Sequence, residues 1–144
     1  MKLPLRSALL ALWFCFLATG AHAQGSSRTV FLVAKPQLRD PNFQETVVLV
    51  TQGEGAAATG VIVNRPTDRS LAELLPTERF KSFTDPIFFG GPVASQGLFA
   101  VFQADKFAGA AVTLLPGLYL AILPDSVDAL LGNPPPKIRF FAGY

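Results

Sequence analysis

Short apolar runs broken by turn chemistry restrict this chain more than any other feature. They read TVFLVAK (29–35), TVVLVTQ (46–52), GVIVN (60–64), PIFFGG (86–91), GLFAVFQ (97–103), AAVTLLPGLYLAIL (110–123) and KIRFFAGY (137–144). β-branched and aromatic residues dominate them, and Gly, Pro, Asn or Asp bounds most of them, which predicts strands. Pro116-Gly117 places a turn inside the sixth run and splits it into two strands. The first run is β-branched and apolar and predicts a buried strand. The second and third predict a hairpin around a flexible link at 53–59. Two short helices interrupt this pattern. Ser70 with Glu73 forms a capping box before Leu71, Leu74 and Leu75, and Pro76 ends that helix. Residues 125–133 predict the second helix, capped by Asp125 or Ser126 and stopped at Gly132. Pro134, Pro135 and Pro136 then form a stiff connector. The class is α+β with a largely antiparallel sheet.

The first residues stand apart. Lys2 and Arg6 precede the uncharged run SALLALWFCFLA (7–18), and Ala21-His22-Ala23 ends it with small residues at both cleavage-determining positions. This is the pattern of a signal peptide covering 1–23, cut after Ala23. A periplasmic or secreted domain over 24–144 follows, without a membrane span after cleavage. Cleavage would remove Cys15 and His22, the chain's single cysteine and histidine. It would also remove two of twelve basic residues and none of the ten acidic ones, so the formal charge of +2 becomes 10 − 10 = 0. Such a domain holds no disulfide, no thiolate nucleophile, no histidine base and no Cys/His zinc site. A neutral balance also lacks the footprint of direct nucleic-acid binding. The expectation is no cofactor and no metal.

Three loops could carry chemistry. In LRDPNF (38–43), Asp40 and Asn42 either present oxygens to a site or bond their own backbone as turn formers, and Phe43 could pin the loop to the core. In VNRP (63–66), Arg65 follows Asn64 and precedes Pro66. Its guanidinium could clamp a carboxylate or phosphate, or pair with Asp40 or Asp85. In FFGGPV (88–93), Gly90, Gly91 and Pro92 make a rigid corner that brings the backbone close to a ligand or to a neighbouring strand. No Lys-Ser/Thr follows, so this is not a phosphate-binding P-loop. Gly53-Glu54-Gly55 with Gly60 resembles a dinucleotide loop, but position 58 is Ala58 and a strand follows, so it reads as a hairpin tip.

FLVAKPQLRDPNFQETVVLV (31–50), GVIVNRP (60–66) and FFGGPV (88–93), in this order and spacing, resemble the YqgE/AlgH family of bacterial proteins. FFAGY (140–144) is similar to the start of that family's later glycine-aromatic motif. The resemblance implies an α+β fold with a bifurcated sheet rolled into a pseudo-barrel. It matches at Asp40, Pro41, Asn42, Phe43, Asn64, Arg65, Pro66, Gly90, Gly91 and Pro92, and implies that these residues gather at a ligand-binding or structural centre. It implies no reaction, and for some members a regulatory role. Two departures stand out. Members are usually cytoplasmic and lack a leader, and their chains continue past the Gly-Tyr pair. The 24–144 domain therefore reads as C-terminally incomplete, with a last strand that could lack a partner.

The reading that follows is a non-enzymatic binding or regulatory module whose partner is a protein or a small anionic ligand. It carries the expectation that Arg65→Ala weakens binding and spares the fold. The alternative is an enzyme built on carboxylates and Arg65, with Asp40 as base.

Overall fold

A computed structural model describes residues 28–52 and 57–144. The leader-like segment 1–23 and the Gly53-Glu54-Gly55 tip lie outside the described residues. Among the described residues, nine strands form two sheets. β1 (Arg28–Val33), β2 (Val47–Gln52) and β3 (Thr59–Ile62) make a three-stranded antiparallel sheet in that order. The hairpin expected from the second and third apolar runs is its β2–β3 half. The second sheet has six strands, ordered β4 (Pro66–Ser70), β5 (Pro86–Phe89), β9 (Ile138–Ala142), β6 (Leu98–Gln103), β8 (Leu118–Ala121) and β7 (Val112–Leu115). All its pairs are antiparallel except β5 with β9.

Alternation along the strands builds two cores on opposite faces of the large sheet. Ala100, Phe102, Phe140 and Ala121 point to one face and pack with Leu71, Val127, Leu130 and Leu131 of the helices. Phe99, Phe141, Leu114 and Leu120 point to the other and pack with Leu49 and Val61 of the small sheet. The molecule is thus layered: helices, large sheet, small sheet. The sheets touch at both margins. The Ile62 N–H donates to the Gly90 carbonyl at 2.7 Å, and the Thr29 hydroxyl donates to the Leu114 carbonyl. Among the described residues no continuous ladder joins them, so the expected roll takes the form of two packed sheets and not a closed barrel.

The capping box forms as expected. Ser70 caps α1 (Leu71–Leu74), accepting from the Glu73 N–H while the Glu73 carboxylate accepts from the Ser70 N–H. α2 (Pro124–Gly132) begins earlier than expected, with Leu123 as its cap and Pro124 in its first turn. Ser126 caps nothing and instead donates its hydroxyl to the Ala110 carbonyl. Strand β4 was not expected from the sequence. Pro66 opens it, as a proline can on an edge strand, and its register slips between Pro66 and Ser70.

Two further expectations are corrected. β1 is not buried: Val30, Phe31, Leu32 and Val33 are 48%, 60%, 54% and 72% exposed. Among the described residues it is the outer strand of the small sheet, with β2 on one side only. The last strand is not short of partners. β9 lies between β5 and β6 and pairs with both.

Candidate functional site

β3 leaves the small sheet and β4 enters the large one within a few residues, and Asn64 and Arg65 occupy that crossing. Residues 40–45 lie against it as a tight turn. The Asp40 carboxylate accepts from the Asn42 N–H at 2.8 Å, and its carbonyl accepts from Phe43 and Gln44. Asp40 is therefore a turn former. The turn resembles the end of a helix: its carbonyls project outward without intrahelical donors. Arg65 supplies donors. Its guanidinium reaches the carbonyls of Pro41 (3.4 Å), Asn42 (3.1 Å) and Gln44 (3.0 Å), and lies 5.6 Å from the centre of the Phe89 ring.

Asn64 holds the same turn from its far end. Its side-chain oxygen accepts from the Val47 N–H (2.8 Å), and its amide donates to the Glu45 carbonyl (3.0 Å). Glu45 is held between them with φ +57°, the left-handed region that side chains other than glycine seldom adopt. No ion pair joins Arg65 to Asp40 or Asp85 among the described residues.

The glycine corner meets a neighbouring strand. The Gly90 N–H donates to Ala142, and Val93 and Tyr144 exchange two backbone bonds at 3.0 and 3.2 Å. A Cβ on Gly90 would overlap the Gly143 carbonyl, and one on Gly91 would overlap the Tyr144 carbonyl. The Phe89 N–H donates to the Arg65 carbonyl, so corner and crossing share one backbone seam. Asp40 to Gln44, Asn64, Arg65 and Gly90 thus come together. Pro92 is exposed beyond the seam, and Pro66 begins β4.

The held turn has a second consequence. Phe43 does not pin it to the core. Together with Leu38 it walls an apolar groove on the outer face of the small sheet. Leu32, Val48 and Val50 form the floor, and Lys35 is the one charged residue in the lining. The groove encloses about 650 Å³. It runs beside β1, whose free edge presents unpaired backbone groups. Sequence reasoning missed the groove, although a signal was present. Residues 30–33 and 47–50 are apolar without alternation, the pattern of strands covered on both faces. The large sheet covers only one of those faces.

These observations define a class first: a two-sheet α+β protein with helices on one face and an open apolar sheet on the other. A family model described as AlgH-like matches residues 31–144. The chain belongs to that family. A UPF0301 protein of Myxococcus xanthus is 35% identical over 117 residues, covering 78% of this chain and 64% of the relative. One from Stutzerimonas stutzeri is 36% identical over 121 residues, covering 79% and 64%. The solution structure of AlgH from Pseudomonas aeruginosa aligns with a TM-score of 0.61 at 28% identity, over 79% of this chain and 64% of that one. A crystal structure from Corynebacterium diphtheriae aligns with a TM-score of 0.56 at 21% identity, over 78% and 62%, and shares the fold. The chain spans 64% of the length of the curated relatives named here.

Proposed function

We propose that this chain is a non-enzymatic binding protein that takes an extended, apolar segment of a partner protein along β1. One observation carries the reading. β1 offers a free edge, a bare apolar stretch from Val30 to Val33, and an apolar groove directly beside it. A strand added there would satisfy the edge and place alternate side chains in the groove, the mode known as β-augmentation. Of the other outer strands, β3 gives its Ile62 N–H to the Gly90 carbonyl, and β4 is guarded by Pro66, Asp68, Arg69 and a register break. β7 lies against the small sheet through Leu114.

Asp40, Pro41, Asn42, Asn64, Arg65, Pro66, Gly90, Gly91 and Pro92 support this site from behind, and Phe43 enters it. Asp40 and Arg65 spend their polar groups on the turn, which favours binding over carboxylate chemistry. Export through the leader-like residues 1–23 belongs to the same reading, with a partner in the periplasm or outside the cell. A gene-regulatory effect would then act through a protein, since the neutral 24–144 segment suits no direct nucleic-acid contact.

The test uses the full chain and a synthetic octapeptide of alternating Val and Thr. Amide exchange at alternate β1 residues should slow on adding the peptide, and Leu32→Lys should abolish the effect. Unaltered exchange in the presence of millimolar peptide would sink the proposal. Concentration-dependent sedimentation, lost in Leu32→Lys, would instead make a second copy of the chain the occupant.

A further inference from the structure

We infer that the cleft between the two sheets is a binding site for a small aromatic monocarboxylate. The inference does not depend on the β1 edge. Alternation along β9 sends Arg139 and Phe141 to the face that looks at the small sheet, and Lys137, just before the strand, lines the same cleft. Phe141 is buried there in the inter-sheet core. Arg139 pairs in register with Val101, and Gln103 bonds the backbone of Lys137. The core-facing side of β9 therefore changes within five residues from aromatic to doubly cationic.

The space above it is real. A cleft of about 470 Å³ has Phe31, Leu49, Val101 and Phe141 along its walls, and Asp85, Lys137 and Arg139 at its mouth. That size falls within the range of small-ligand sites, and an apolar interior with a few converging polar groups is their usual composition. The Arg139 guanidinium lies 5.2 Å from the centre of the Phe88 ring, which holds it at the margin of the apolar floor. Among the described residues neither cation has an ion pair. The pairs present are Arg79–Asp128 and Lys81–Glu78, elsewhere on the molecule.

Each feature selects a property of the ligand. Two cations at the mouth call for an anion, and an arginine presents a planar fork matched to a carboxylate. Asp85 at the same mouth repels a second negative charge, so a monoanion fits. A slot between two sheets, with the exposed Phe31 on one wall and the half-buried Val101 on the other, suits a flat ring. Phe31 is 60% exposed, and a ring seated there would cover it.

The experiment titrates the full chain with 2-naphthoate and, separately, with the neutral 2-naphthylmethanol, following backbone amide resonances. Naphthoate should shift the amides of Phe31, Val101, Lys137 and Arg139 and bind more tightly than the alcohol. The Lys137→Gln/Arg139→Gln double variant should weaken it about tenfold or more, as expected for lost charge-assisted contacts. Arg79→Gln, outside the cleft, should leave it unchanged. All three side chains are exposed, so the variants should retain the wild-type spectrum elsewhere. No shift at millimolar naphthoate, equal affinity for the alcohol, or full affinity in the double variant would each overturn the assignment.

Discussion

Arg65 was a candidate ligand-binding group in sequence, and the structure gives it three backbone carbonyls instead. The consequence for mutagenesis differs from the first expectation. Arg65→Ala should destabilise the fold by about 1.5–3 kcal/mol, the range for hydrogen bonds to a charged group. Equilibrium denaturation measures the loss, and amide exchange at Phe43 and Gln44 should quicken. A variant with unchanged stability and lower affinity would restore the ligand-binding role. Gly143 makes a related case. Its φ is +74°, and an added Cβ would overlap the Gly91 carbonyl. Gly143→Ala should therefore cost at least about 1–3 kcal/mol from the backbone conformation alone. Gly132→Ala is the control: its Cβ meets nothing within 4 Å. It should range from neutral to about 1 kcal/mol stabilising, readable as a shift in the denaturation midpoint.

At the scale of elements, legibility followed the range of the forces involved. The capping box at Ser70 and Glu73 was readable because four consecutive residues complete it. The β2–β3 hairpin was readable for the same reason. β4 was hidden, because PTDRS carries neither apolar alternation nor strand composition, and only β5 alongside makes it a strand. β1 showed the reverse error. Its composition is that of a covered strand, while its neighbours leave it open. An open strand of this composition should associate readily. Light scattering at rising concentration should show more association for the wild type than for Phe31→Lys, at unchanged melting temperature. Equal scattering would mean that β1 is not the sticky edge.

For the whole molecule, the large sheet is shared by both cores, so the layers should unfold together. Phe102 packs on the helix side against Phe107 and Tyr119. Phe141 packs on the small-sheet side against Phe88. Either Phe→Ala change should cost about 3–5 kcal/mol. Each should lower one common transition, followed by calorimetry and near-ultraviolet dichroism. Two separated transitions in either variant would show that the small sheet is an independent unit.

By itself, the sequence determined the α+β class, most strands, both helices and the family, because apolar periodicity and turn residues act over a few neighbours. It also brought Asp40 to Phe43, Asn64 to Pro66 and Gly90 to Pro92 into view as one set. Only the tertiary structure decided what that set does. Whether Arg65 meets a ligand or a carbonyl depends on a turn more than twenty residues away, and no local pattern encodes that distance. The open groove and the inter-sheet cleft were decided at the same level. Each lies between segments far apart in the chain, and whether an apolar face is covered or left free is a property of what packs against it.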